Sequence, residues 1–123
     1  MYRSPAALTT LILQASVVVL PYDSKDQVTS GVLVDSVATG RPVVATAFPH
    51  AVELLGSGAG LVVPHDDPDA LVSALKRVLT DPRAAGSMAS EARELAPTLA
   101  WPVVADAYLV LARRLVAARL AVA

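Results

Sequence analysis

The chain contains no cysteine, so disulfides, thiol catalysis and Cys-based zinc sites are excluded. Its two histidines, His50 and His65, are too few for a His-based metal site without several nearby carboxylates, so we expect no metal. The formal net charge is −1, which argues against a nucleic-acid or membrane-surface binder, since either needs a basic face. Aromatic residues make up only 4% of the 123 residues, yet 54% are apolar, mostly Ala, Val and Leu, which excludes disorder.

The chain also has no uninterrupted hydrophobic run of membrane-spanning length. Polar residues between Thr9 and Ser16 divide the apolar N-terminal stretch, and no small-x-small cleavage site follows it. Charged residues between Asp106 and Arg119 divide the apolar C-terminal stretch below the roughly 20 residues that a span needs. We therefore expect no transmembrane segment and a cytoplasmic protein.

Three short apolar runs predict β-strands. They are Ser16–Leu20, closed by Pro21, then Val43–Thr46, then Leu61–Val63, closed by Pro64. Because each run is apolar on successive residues, we expect the strands to be buried on both faces, as in a parallel sheet.

Proline and capping residues predict where the helices begin. The pairs Ser4-Pro5, Asp67-Pro68 and Asp81-Pro82 each place a capping side chain before a proline that fits the first helical position. Thr29 or Ser30 caps a further helix that stops at Gly40. The expected helices are approximately 5–14, 30–39, 50–55, 68–80, 82–96 and 101–119. The apolar face of the fourth is predicted at Leu71, Val72, Leu75, Val78 and Leu79.

Strands that alternate with helices indicate an α/β fold. We expect a partial Rossmann-like, three-layer α/β/α domain with about three parallel strands and right-handed crossovers. The first helix has no strand before it, so the complete sheet is expected to begin upstream of Met1.

The segment that follows the first strand is the candidate ligand site, because ligands of open parallel sheets bind beyond the carboxyl ends of the strands. Residues 28–32 open a helix, whose free N–H groups and positive dipole end attract anions. Gly31 lacks a Cβ and lets a phosphate approach the backbone. Asp35 lies one turn later on the same face and can reach a ribose attached to that phosphate. Gln27, which ends the loop before this helix, can form hydrogen bonds with hydroxyls on the other side of the phosphate.

Simpler interpretations stay open for each of these residues. The Thr-Ser-Gly sequence is also a common capping sequence at helix starts, and Asp35 is alternatively interpreted as a solvated helix residue. His50 is either a general base or, as we favour, a capping or solvated residue. Tyr22 either packs beside a base or seals the strand end. Trp101 is expected to be a packing anchor, and Arg41 a surface or helix-end charge.

Several motifs, in unbroken order, resemble the donor half of family 4 glycosyltransferases, which have the GT-B fold. They cover nearly the whole chain: Pro21-Tyr22, Gln27–Asp35, Val37–Thr46, Gly60–Pro64, Asp67–Leu71 and Trp101–Leu115. The resemblance implies a retaining enzyme that transfers a sugar from a nucleotide-sugar, such as a UDP- or GDP-sugar, which is a substrate and not a cofactor.

The resemblance also implies residue roles. The family has two acidic residues, the first near the donor sugar and the second on the ribose. Asp35 occupies the second position, whereas the first holds the neutral Gln27, so no catalytic residue is assigned. Backbone amides of Ser30, Gly31 and Val32 would hold the diphosphate. The family's Gly-Gly loop is replaced here by residues 48–50, so nothing about that loop is carried over.

The resemblance further implies that residues 1–123 are a single incomplete nucleotide-sugar-binding domain, with 98–120 as its closing C-terminal helix. The N-terminal acceptor domain and the Arg and Lys residues that neutralise the diphosphate would be missing, so we expect no transferase activity from the chain alone. The open edge of the first strand would favour self-association. A peripheral membrane location stays open for a full-length enzyme.

Two other functions stay open. A non-catalytic α/β module that binds a nucleotide or a partner protein is favoured by the replacement of the first acidic residue by Gln27. A truncated gene product with no function of its own is the third possibility.

Overall fold

The computed structural model describes residues 4–23 and 30–122 and contains one three-stranded parallel sheet. Its strands lie in the order β1 (Val18–Leu20), β2 (Val43–Thr46) and β3 (Gly60–Val63). In the register, Val43 lies opposite Val18 on one side and opposite Gly60 on the other. The predicted set of parallel strands is thereby confirmed.

The helices begin where the capping pairs predict. The Ser4 hydroxyl accepts from the Ala7 N–H at 3.2 Å, and the Asp81 carboxylate accepts from the Ala84 N–H at 3.1 Å. Pro97 lies in a short 3₁₀ turn at 96–99 that ends the fifth helix. The α-helices are α1 (Pro5–Gln14), α2 (Gly31–Ala38), α3 (Pro49–Leu55), α4 (Pro68–Thr80), α5 (Pro82–Leu95) and α6 (Trp101–Val122).

Helices cover both faces of the sheet, which confirms the three-layer architecture. Successive residues of β2 face opposite layers. Val43 packs with Leu33 of α2 and Phe48 before α3, whereas Val44 packs with Val78 of α4 and residues of α5. All four residues of β2 are buried, as expected for the central strand.

Burial on both faces was predicted for all three strands and is wrong for the outer two. Val18 and Val19 of β1 are only half-buried, and Val62 of β3 is 37% exposed. The reason is their position, because among the described strands only β2 has a neighbouring strand on each side. Within residues 4–23 and 30–122, the outer edge of β1 pairs with no strand.

The predicted apolar face of α4 is also partly wrong. Val72 is 49% exposed and Leu79 is 60% exposed, whereas the small Ala74 is buried beside Val78. The buried stripe therefore runs through Leu71, Ala74 and Val78, with the i, i+3, i+7 spacing of one helix face. Ala74 lets α4 approach the sheet closely, and a pattern based on large side chains overlooks it.

Helix α6 contributes no buried residue and contacts the body mainly through the preceding 3₁₀ turn. Trp101, predicted to be a packing anchor, is 84% exposed, so that prediction is wrong. Phe48, in contrast, is an aromatic residue that is fully buried. In the part of the chain that the structure describes, no single helix is long and apolar enough to span a membrane. Residues 82–99 and α6 reach that length and hydropathy only when they are taken together, and the two segments are bent by 51° relative to each other.

Candidate functional site

The first turn of α2 is organised by Ser30. Its hydroxyl accepts a hydrogen bond from the Leu33 N–H at 3.2 Å and shares another, of 3.2 Å, with the Tyr22 hydroxyl. Ser30 is 6% exposed, so the bond to Leu33 is buried, and the bond to the half-buried Tyr22 is partly buried. Ser30 is therefore the cap of α2, and it fixes the direction in which the helix leaves the sheet.

The next two amides of this turn are those of Gly31 and Val32. Among the residues that the structure describes, no acceptor is found for the N–H groups of Gly31 and Val32. A Cβ built on Gly31 would meet no atom within 4 Å, so the space above the turn is open. The positive end of the helix dipole and these N–H groups together favour an anion.

The third amide implied by the resemblance is already engaged. The Ser30 N–H donates to Nδ1 of His50 across 3.0 Å, a contact between residues 20 positions apart in sequence. A ligand that took this amide would have to displace the imidazole.

His50 is held in place by the start of α3. The Phe48 N–H donates to the Thr46 carbonyl at 2.8 Å, which forms a tight turn directly after β2. Phe48 is fully buried, and its ring lies 5.0 Å from that of Tyr22. Pro49 then begins the helix and the buried Ala51 secures it. His50, half-buried between these residues, is fixed against α2 and is more than a solvated residue.

Tyr22 seals the end of β1, which is the second of the two interpretations left open. Its carbonyl oxygen accepts from the Thr46 hydroxyl at 2.7 Å, and this bond ties the end of β1 to the end of β2. Its own hydroxyl reaches Ser30. The carboxyl edge of the sheet, α2 and α3 are thus connected by one set of hydrogen bonds.

A groove of about 580 Å³ lies beside the first turns of α2. That size falls within the range of small-molecule sites. Asp35 lies in it, exposed and one turn after Gly31. The wall of the groove on the side of α2 and α3 consists of Ser30, Gly31, Val34, Asp35, Ala38 and His50. The opposite wall consists of Leu99, Ala100, Trp101 and Val104.

The structure brings together most of the predicted site. Ser30, Gly31 and Asp35 line one groove, and Val32 follows in the same turn. Gln27 lies outside the described residues. No local pattern places His50 or Trp101 beside α2, because both come from distant parts of the chain.

Arg41, expected to be a surface or helix-end charge, follows the end of α2 and is half-buried. Its Nε is buried with no partner among the described residues. Arg41 follows the turn at Gly40, whose φ of +75° bends the chain back towards the sheet.

In residues 4–23 and 30–122, no three His, Cys, Asp or Glu side chains are grouped so that they could hold a metal ion.

A parallel sheet covered by helices on both faces defines an α/β domain, and ligands of such open sheets bind beyond the carboxyl ends of the strands, where this groove lies. Residues 2–81 match the family model for glycosyl transferases group 1. A search of curated proteins found no significant match. Among solved structures, sucrose-phosphate synthase from Thermosynechococcus elongatus is similar, with a TM-score of 0.73 and 30% sequence identity. The similarity covers 91% of this chain and 28% of that one.

These findings identify a glycosyltransferase-like domain with the architecture of a GT-B enzyme. The chain belongs to the glycosyl transferases group 1 family.

Proposed function

We propose that this chain binds the nucleotide-sugar donor of a retaining glycosyltransferase, with the diphosphate at the start of α2. The observation that carries the proposal is that the N–H groups of Gly31 and Val32 have no acceptor among the described residues, and that Gly31 lines the groove that also holds Asp35. A nucleotide-sugar needs an anion site and a ribose site next to each other, and these residues supply both kinds of group.

The diphosphate would accept hydrogen bonds from the two backbone amides. Backbone donors at a helix start are already oriented, so binding an anion there requires little rearrangement. As the bond between sugar and diphosphate breaks, negative charge grows on the departing diphosphate. Donors fixed in advance stabilise that charge more than they stabilise the bound substrate, which lowers the barrier.

The ribose would be held by Asp35. Residues four apart on a helix lie about 5–6 Å from each other, which suits a pentose joined to a phosphate bound at Gly31. A carboxylate accepts from two vicinal hydroxyls at once, and hydrogen bonds to a charged group are stronger than neutral ones. Because Asp35 is exposed, it is available to the ligand without prior rearrangement.

Transfer itself needs more than this chain provides. The chain spans 28% of the sucrose-phosphate synthase chain that it resembles. GT-B enzymes react in a cleft between two domains, so we propose that residues 1–123 alone bind the donor without transferring its sugar. A hexosyl group on the donor belongs to the same proposal, and a comparison of UDP with GDP distinguishes the base.

Isothermal titration calorimetry with UDP and GDP tests the binding proposal. We expect at least one of them to bind the chain, and the corresponding nucleoside to bind more weakly because it lacks the diphosphate. Absence of heat with either nucleotide at millimolar concentration would contradict the proposal.

A non-catalytic nucleotide-binding module is the second candidate, and the neutral Gln27 at the first acidic position favours it. Both candidates predict nucleotide binding. They differ in a sugar-transfer assay on the chain joined to an acceptor domain of the same family: turnover supports the enzyme, and binding without turnover supports the module.

A further inference from the structure

The imidazole of His50 has one nitrogen engaged by the protein and lies at the groove. Nδ1 accepts from the Ser30 N–H at 3.0 Å, and the residue contributes to the groove wall beside Gly31 and Asp35. An acceptor nitrogen carries no proton, so in the neutral ring the proton is on Nε2. The contact with Ser30 therefore fixes His50 as a hydrogen-bond donor through Nε2.

We propose that His50 Nε2–H donates to the diphosphate of the bound nucleotide-sugar, next to the amides of Gly31 and Val32. This inference rests on the proposed function. Ser30 gives its N–H to Nδ1, and His50, which lines the groove, offers Nε2–H in return, so a side-chain donor takes the place of the backbone donor. The bond at Nδ1 polarises the ring and strengthens donation from Nε2.

The surroundings of His50 suit a residue that must hold its position. Phe48 and Ala51, on either side of the Pro49-His50 pair, are fully buried, so the backbone at His50 is anchored in the core. Pro49 restricts the backbone further, since its φ is fixed by the ring. A donor on such a frame loses little side-chain entropy when a ligand binds, which distinguishes it from a surface histidine.

Two substitutions separate the roles of the two ring nitrogens. His50→Asn places an amide oxygen near the position of Nδ1, so it retains an acceptor for the Ser30 N–H but has no group at the position of Nε2. His50→Gln places an amide near the position of Nε2, so it retains a donor to the ligand but gives up the acceptor for Ser30. Thermal unfolding establishes that each variant is folded before binding is measured.

The affinities for UDP and GDP are measured by calorimetry, and those for the corresponding nucleosides by NMR titration. We expect His50→Asn to weaken nucleoside diphosphate binding about 10- to 100-fold, the range for a hydrogen bond to a charged group, with nucleoside binding unchanged. His50→Gln should recover part of that loss. A merely structural role would weaken the binding of nucleotide and nucleoside alike.

The outcomes also separate this inference from the proposed function. If the parent chain binds a nucleoside diphosphate and His50→Asn binds it equally well, the phosphate role of His50 is wrong and the proposed function stands. The phosphate role is also wrong, and the proposed function also stands, if His50→Asn loses affinity for nucleotide and nucleoside to an equal extent. If the parent chain binds neither UDP nor GDP, the proposed function fails and this inference fails with it.

Discussion

The backbone N–H of Ser30 donates to Nδ1 of His50 across 3.0 Å and joins the start of α2 to the start of α3. These two helices follow neighbouring strands, β1 and β2, so the bond spans the carboxyl edge of the sheet. Ser30 also caps α2 through its hydroxyl. One residue thus shapes the helix start and connects it to the imidazole that borders the groove.

Gly31→Ala should separate stability from binding. The added Cβ meets no atom within 4 Å, and alanine is a better helix residue, so we expect the free energy of unfolding to stay the same or to rise by up to about 1 kcal/mol. The same Cβ would stand above the Gly31 and Val32 amides and should weaken UDP or GDP binding about tenfold, the cost of one charge-assisted hydrogen bond.

Gly86→Ala is the matched control for Gly31→Ala, because its Cβ also meets nothing within 4 Å and it lies inside α5, away from the groove. It should stabilise the chain by about 1 kcal/mol and leave the nucleotide affinity unchanged. Urea unfolding and calorimetry measure the two quantities. Equal affinities of the two variants would show that no phosphate approaches Gly31.

Ser30→Ala should destabilise the chain more than the equivalent change at an exposed cap. Removing the hydroxyl leaves the Leu33 N–H and the Tyr22 hydroxyl without their partner in a buried site, and we expect a loss of about 1–2 kcal/mol. Ser4→Ala removes the cap of α1 at an exposed position where water can replace the hydroxyl, so we expect the free energy of unfolding to fall by about 0.5–1 kcal/mol. Equal losses in urea unfolding would mean that the contact with Tyr22 adds nothing.

Asp35→Asn tests the ribose assignment. The neutral amide keeps the size of the side chain but removes the charge, so we expect nucleotide affinity to fall at least about tenfold. Asp35 is exposed, and stability should change by less than about 0.5 kcal/mol. Glu94→Gln removes an exposed carboxylate on α5 and serves as the control. The ribose role is contradicted if both variants bind UDP and GDP like the parent chain.

Phe48→Ala and Trp101→Ala should differ sharply in their effect on folding. Phe48 is fully buried and supports the turn that positions His50, so its loss should cost about 3–5 kcal/mol. Trp101 is 84% exposed, and its replacement should change stability by less than about 0.5 kcal/mol. Thermal unfolding of both variants checks this, and a larger loss at Trp101 would contradict the exposed placement of α6.

Local chemistry in the sequence predicted much of the fold. The pairs Ser4-Pro5 and Asp81-Pro82 located helix starts because a cap and a proline act on their own turn. The bounds of β2, Val43–Thr46, were predicted correctly because a run of consecutive apolar residues is also a local signal. The partial exposure of β1 and β3 was missed, because burial depends on how many strands lie beside each one.

The candidate site was predicted only in its local part. Ser30, Gly31 and Asp35 belong to one helix, so their spacing alone places them together. The contact of Ser30 with His50 joins residues 20 positions apart and depends on how α2 and α3 pack, which no spacing encodes. Trp101 was predicted to be a packing anchor, whereas its helix begins beyond the 3₁₀ turn and contributes no buried residue.

The most direct test of the central claim is an amide ¹H–¹⁵N NMR titration of the chain with UDP and GDP. The account predicts that the largest shift changes fall on the Gly31 and Val32 amides, with smaller ones at Asp35. Changes concentrated elsewhere, for example beside the groove formed by Arg77 and Arg83 between α4 and α5, would contradict it.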